Sequence, residues 1–207
     1  MTLLSSRSAL ICIVLATITL SPYGALGYPE PAIVSPSWSL KFEFNEPRPI
    51  AVKTLKDTIQ WYWYMPYKVV NLTGKDRLFI PEITIATDSG QIITAGRDVP
   101  PAVFNLIKEQ LQNPLLESPI EIVGKILQGE DYAREGAAIW PAFGEDVDEF
   151  TVFFAGHSGE NATVQNPVTK QNVLMRRTNM RRFSAPGNHP NPEAQPVILI
   201  EQTDVMR

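Results

Sequence analysis

From Ser39 onward, apolar and polar residues mostly alternate, which predicts a mainly β protein. Ser39-Leu40-Lys41-Phe42-Glu43-Phe44 has the two-residue period of a half-buried strand. Ile59–Val70 is the strongest run of this kind. Trp61, Trp63, Met65, Tyr67 and Val69 share one face, and Tyr62, Tyr64 and Val70 share the other. One face of a packed strand is buried, so Trp61, Trp63 and Tyr67 are expected in the core. Tyr62 and Tyr64 then become candidates for an exposed face that stacks on sugar rings. Pro66 cannot donate to a ladder, so an edge position or a bulge is expected there. Asn71–Asp76 reads as a turn, Arg77–Ala86 as a strand and Asp88-Ser89-Gly90 as the next turn. Further strands are expected at Ile120–Leu127, Tyr132–Trp140, Glu149–Ala155 and Asn172–Phe183, with a turn at Gln128–Asp131.

One segment changes period. Val103, Phe104, Ile107 and Leu111 follow Pro100-Pro101 at helical spacing and precede Asn113-Pro114, which predicts an amphipathic helix over Pro101–Gln112. Its apolar face is expected on an edge or open end of the β structure. Seven to nine strands and one helix, with turns too irregular for a propeller or solenoid, point to an immunoglobulin-like antiparallel β-sandwich with a short helical insertion. No internal repeat is visible.

The N-terminus follows another pattern. Arg7 is its only charge, the apolar run Ala9–Val14 continues through Leu15, Ala16, Ile18 and Leu20, and Ser21-Pro22 and Ala25-Leu26-Gly27 close it. This is the form of a secretory signal peptide over residues 1–27. The apolar centre is shorter than the roughly 20 residues of a membrane span, and a retained N-terminal anchor is the alternative. Residues 28–37 then form a proline-containing lead-in, 38–183 the β domain with its helical insertion, and 184–207 a proline-rich arm ending in the apolar run Val197–Ile200.

Composition narrows the chemistry. Cleavage after Gly27 leaves 180 residues, which suits one domain, with 17 basic against 22 acidic residues. The resulting charge of −5 argues against a general nucleic-acid binder. Cys12, the only cysteine, lies in the signal segment. The mature chain therefore has no thiol catalysis, iron–sulfur cluster, thiolate zinc site or disulfide. Ile11 before Cys12 does not fit lipoprotein processing, which takes a small residue there.

Each candidate site has a plainer reading. Gly156-His157-Ser158-Gly159-Glu160 approaches the Gly-x-Ser-x-Gly elbow of serine hydrolases, but Glu160 occupies the last glycine position and no helix follows. The other histidine, His189, is in the proline-rich arm, so a tight loop is the expectation and a hydrolase centred on Ser158 the alternative. Glu145-Asp146-Val147-Asp148-Glu149 offers oxygen ligands to a metal such as calcium without the glycine of an EF-hand loop, and reads as a solvated acidic loop. Arg176, Arg177, Arg181 and Arg182 form a basic cluster. Adjacent strand residues face opposite ways, so pairing with the chain's own carboxylates competes with contact to anionic envelope polymers or lipid headgroups. Asn71-Leu72-Thr73 and Asn161-Ala162-Thr163 fit the glycosylation acceptor pattern but read as turn residues. Nothing in the sequence calls for a cofactor.

The pieces Tyr62-Trp63-Tyr64-Met65-Pro66-Tyr67 with Val69–Gly74, Gly124–Asp131, Phe154–Glu160 and Asp204-Val205-Met206-Arg207 resemble a set of uncharacterised exported proteins of planctomycete bacteria, over about Trp38 to Arg207. The run Tyr67–Gly74 also resembles the strand-and-turn of bacterial immunoglobulin-like modules. The resemblance implies export and lineage, and carries no activity with it. One departure is His157, where the similar proteins tend to carry an apolar residue, which speaks against a catalytic imidazole. The function expected is therefore a non-enzymatic exported protein, with a binding or structural role towards an envelope protein or polysaccharide. Tyr62, Tyr64, Arg176 and Arg177 are its candidate ligand contacts, and the alternatives are a carbohydrate-binding module or a hydrolase centred on Ser158 or an acidic metal site. No membrane span is expected once the signal is removed.

Overall fold

A computed structural model describes residues 38–207 except 55, 145–146 and 186–196. The expected signal segment and lead-in lie outside the described residues, as does most of the proline-rich stretch with His189. The fold is mainly β, in antiparallel sheets with one short helix.

The first sheet is built on β3 (Ile59–Asn71), flanked on one side by β1 (Lys41–Phe44) and β2 (Arg48–Lys53) and on the other by β9 (Gly129–Pro141). The two-residue β7 (Leu116–Glu117) adds a short parallel pairing to β9. Pro66 is on neither an edge strand nor a bulge. Phe44 pairs with Tyr67 and Arg48 with Tyr64, so Pro66 stands opposite the link 45–47 between β1 and β2. Its missing donor falls at that gap, and its carbonyl accepts the Asn45 N–H at 3.0 Å. The register shift in β3 comes later, between Val69 and Asn71.

The second sheet contains β5 (Glu82–Thr87), β6 (Ile92–Thr94), β10 (Glu149–Ala155), β11 (Asn161–Gln165), β12 (Asn172–Ser184) and β13 (Ile198–Met206). Residues 179–184 of β12 pair with both β10 and β13, which therefore lie on opposite sides of it. The C-terminal arm is thus partly a strand, with eight residue pairs holding it to β12. Beyond Ile200 the run Glu-Gln-Thr-Asp has no apolar alternation, and the neighbouring strand supplies the order that sequence pattern lacks.

β4 (Arg77–Phe79) pairs with β8 (Gly124–Ile126) as a separate ribbon. The strand expected over Arg77–Ala86 is broken at Ile80-Pro81, where the chain leaves β8 and joins β10 as β5. Gly156 packs against that break at φ +92°, and a Cβ there would stand 2.2 Å from the Ile80 carbonyl oxygen. Only Gly124–Ile126 of the expected strand Ile120–Leu127 is extended. Ser118 and Glu121 instead close a turn, each bonding the other's backbone N–H through its side chain. Gly129–Asp131, expected as a turn, already belongs to β9.

The two sheets share one core. Trp63, Met65, Tyr67 and Val69 of β3 and Trp140 of β9 meet Ile83, Ile85, Phe150, Val152, Phe154 and Phe183 of the second sheet. Trp63 stacks on Phe143 with ring centroids 5.4 Å apart and planes 3° from parallel. α1 (Pro101–Gln110) ends two residues earlier than expected, with Leu111 at its C-cap. It lies on the outer face of the first sheet rather than at an edge or open end. Val103, Phe104 and Ile107 cover Ile50, Tyr62, Tyr64 and Ile139, because that face of β3 is itself aromatic and needs burial.

Asn71 knots β3 to the turn that follows it and to β8. It is fully buried. Its Nδ2 donates to the Lys75 and Ile126 carbonyls at 2.8 and 2.9 Å, and its Oδ1 accepts from the Thr73 N–H at 3.1 Å. No helix among the described residues is long and apolar enough to cross a membrane.

Candidate functional site

The inward face of β12 changes character along its length. Phe183 enters the core, whereas Arg181, Asn179 and Arg177, at two-residue steps on the same face, bring polar groups between the sheets. β13 sets Gln202 opposite Arg181 and Asp204 opposite Asn179. With Ser39, Leu40, Phe42, Phe44 and His157 these residues line a crevice of about 170 Å³.

Asp204 is its electrostatic centre. Arg177 Nε and Nη2 donate to Oδ2 at 2.9 and 2.5 Å, and Asn179 Nδ2 to Oδ1 at 2.9 Å. Burial by itself would raise the Asp204 pKa. The bonds from Asn179 and Arg177, with the Arg177 charge, outweigh it and hold the carboxyl below its usual range. Arg177 also faces Glu160 at 3.4 Å. His157 is only 5% exposed, set edge-on to Phe42 with ring centroids 5.6 Å apart. Its Nδ1 is buried and completes no hydrogen bond. Burial lowers the imidazole pKa, with Arg177 acting in the same direction and Asp204 and the Phe154 backbone against it. Arg181 Cζ lies over the Phe44 ring, 4.2 Å from its centroid, and Nε donates to Asn179 Oδ1 at 3.2 Å.

The loop 156–159 is a clasp. The Ser158 hydroxyl donates to the Trp38 carbonyl at 3.0 Å and accepts the Glu160 N–H at 3.1 Å. The His157 carbonyl takes the Leu40 N–H at 2.8 Å, and Ser39 bridges Ser158. Ser158 and His157 therefore join the start of the first sheet to the end of β10.

The four candidate ligand contacts do not come together. Tyr62 and Tyr64, 2% and 1% exposed, are covered by α1, so neither ring is available to a sugar. Arg176 and Arg177 face opposite sides of the second sheet. Arg177 pairs with Asp204, a residue of the crevice lining. Arg176 lines an outer groove of about 380 Å³ with Glu82, Thr84, Phe153 and Arg207, its guanidinium 4.0 Å from Glu82. Of the acidic loop, Glu145 and Asp146 lie outside the described residues, and Val147 turns into the core. The Asp148 and Glu149 N–H groups both donate to Asp88, and the Glu149 carboxylate pairs with Arg182 at 3.5 Å. Among the described residues no group of three His, Cys, Asp or Glu is placed to hold a metal ion.

Asn179, Gln202 and Asp204 are the site residues that sequence reasoning missed, and Arg181 was seen only as one of a basic cluster. The two-residue spacing of 177, 179 and 181 would have put three of these side chains on one face. The partner strand that completes the crevice carried no such signal. Comparison with protein-family models, curated proteins and solved structures finds no match.

Proposed function

We propose that this protein is an exported, non-enzymatic binding module of the bacterial cell envelope, related to the exported planctomycete proteins it resembles. Two antiparallel sheets closing on a shared core support the finer reading of the fold as an immunoglobulin-like sandwich, with α1 as its insertion. The observation that carries the functional reading is the contrast at the crevice. Binding groups line it, while the neighbouring serine spends its hydroxyl on the Trp38 carbonyl and the Glu160 N–H. A nucleophilic serine needs a base in hydrogen-bond reach and a hydroxyl able to leave its ground-state partners. This hydroxyl instead holds the fold, which favours binding over hydrolysis. The burial of Tyr62 and Tyr64 removes support from a sugar-stacking module built on those rings.

The test is fractionation of expressing bacteria followed by exposure of the purified protein to a serine-directed phosphonate. The expected result is an envelope or periplasmic product starting at Tyr28 that takes up no probe. A cytoplasmic product retaining Met1 would refute export, and stoichiometric labelling of Ser158 would refute a non-enzymatic role.

A further inference from the structure

The charged groups around the crevice are unevenly paired. Asp204 and Glu160 both pair with Arg177. Arg181 forms no ion pair among the described residues, and its contacts are Asn179 Oδ1 and the face of Phe44. Its burial lowers its pKa, the mark of a cation held where charge is costly. The guanidinium carbon lies over the Phe44 ring, and Asn179 accepts from Nε, which leaves the two terminal nitrogens as the binding edge. His157 lines the same crevice, and its Nδ1 is buried without a hydrogen-bond partner.

We propose that the crevice between β1 and the β12–β13 ribbon binds the carboxylate of a small organic acid, gripped by the terminal nitrogens of Arg181. The rest of the lining suits that ligand. Gln202 brings an amide opposite Arg181, His157 brings an imidazole edge, and Phe42 and Phe44 wall the apolar body. The volume of about 170 Å³ is close to that of the roughly 150 Å³ cavity that holds a benzene-sized molecule. The part of the ligand inside therefore has about six heavy atoms. A carboxylate fits the planar fork of the Arg181 terminal nitrogens, whereas a phosphate dianion would bring twice the negative charge beside Asp204. The carboxylate belongs either to a free small acid or to an acidic sugar whose ring stays outside. This proposal rests on the binding-module reading and names its ligand.

The experiment is an NMR titration of the purified protein with sodium propionate at constant ionic strength, with propionamide and phosphate as parallel probes. Propionate is expected to give saturable shifts at the amides of 157, 179–181 and 202–204, and propionamide none. Arg181→Gln should weaken binding by about tenfold or more, the scale of a lost charge-assisted hydrogen bond. Gln202→Leu leaves the Arg181–Phe44 stack in place and should weaken binding less, so the proposal stays testable if Arg181→Gln fails to fold. Glucuronate binding more tightly than propionate would support an acidic sugar as the source, and the reverse a free acid. Equal shifts with propionamide, tighter saturation by phosphate, unchanged binding by Arg181→Gln, or no shift at all would overturn the carboxylate site. None of those results touches the non-enzymatic reading, whose own failure shows as Ser158 labelling.

Discussion

The two ends of the space between the sheets are built from the same strand and do opposite things. At one end Phe183 of β12 stacks near Phe150, which in turn packs against Trp63 and Phe143. At the other end, two residues away on the same face, Arg181 begins a polar series that continues through Asn179 and Arg177. The apolar end gains free energy by leaving water, at about 25 cal/mol per Å². The polar end exchanges water for ion pairs and amide bonds, and its net gain is small. Stability is therefore concentrated at one end, and the other can keep a cation and an imidazole whose bonding capacity is not used up.

The comparison is broken most sharply from the apolar side. Trp63→Ala removes a fully buried ring stacked on Phe143 and should cost about 5 kcal/mol, the upper end for such truncations. Urea unfolding followed by circular dichroism reads it, and a loss near that of a surface change would show that this end is not the keystone. Phe104→Ala tests the layer beneath α1, where the ring packs with Tyr62 and Tyr64. Because the helix can settle into the space, a loss of about 3 kcal/mol is expected in the same assay. On the polar side, Asp204→Ala leaves Arg177 with Glu160 alone. The pair is only a quarter exposed, so about 1–2 kcal/mol is expected, between the surface and buried limits.

The smallest effect is a pH dependence peculiar to the polar end. The folded protein holds His157 below its ordinary pKa of 6.5, so below that pH the unfolded chain takes up a proton that the folded chain resists. Its contribution to stability is present above pH 6.5 and is lost as pH falls from there. The slope is at most about 1.4 kcal/mol per pH unit for one proton. Asp204, also held below its ordinary 3.8, loses its contribution in a separate, more acidic window. Melting temperature against pH should therefore fall in two stages, and His157→Gln should remove the first. Persistence of the first stage in that variant would assign it to another group.

The apolar end was legible in the sequence and the polar end was not. β10 was expected at its observed bounds, β3 within one residue and α1 within two, because their side chains repeat at the period of their own element. β2, β6 and β11 are short and broken by proline or polar residues, and no local pattern marks them. The two faces of β3 could not be ranked from β3 alone. Whether Tyr62 and Tyr64 meet water depended on a helix about 40 positions later. The crevice is harder still. Arg177 finds Asp204 across 27 residues, and Ser158 finds Trp38 across 120. Such pairs follow from strand register, which sequence alternation constrains only to within a two-residue step.

The buried knot at Asn71 has a consequence for how the protein is made. Asn71-Leu72-Thr73 is a legal acceptor for an oligosaccharide in hosts whose secretory pathway glycosylates asparagine. That machinery reads the chain as it emerges, before β8 has arrived to take the side-chain amide. A glycan fixed there would occupy the nitrogen that must later donate to the Lys75 and Ile126 carbonyls, inside a site with no room for a sugar. Folding and glycosylation at this residue are mutually exclusive, so a host that does not glycosylate asparagine is the route to native material.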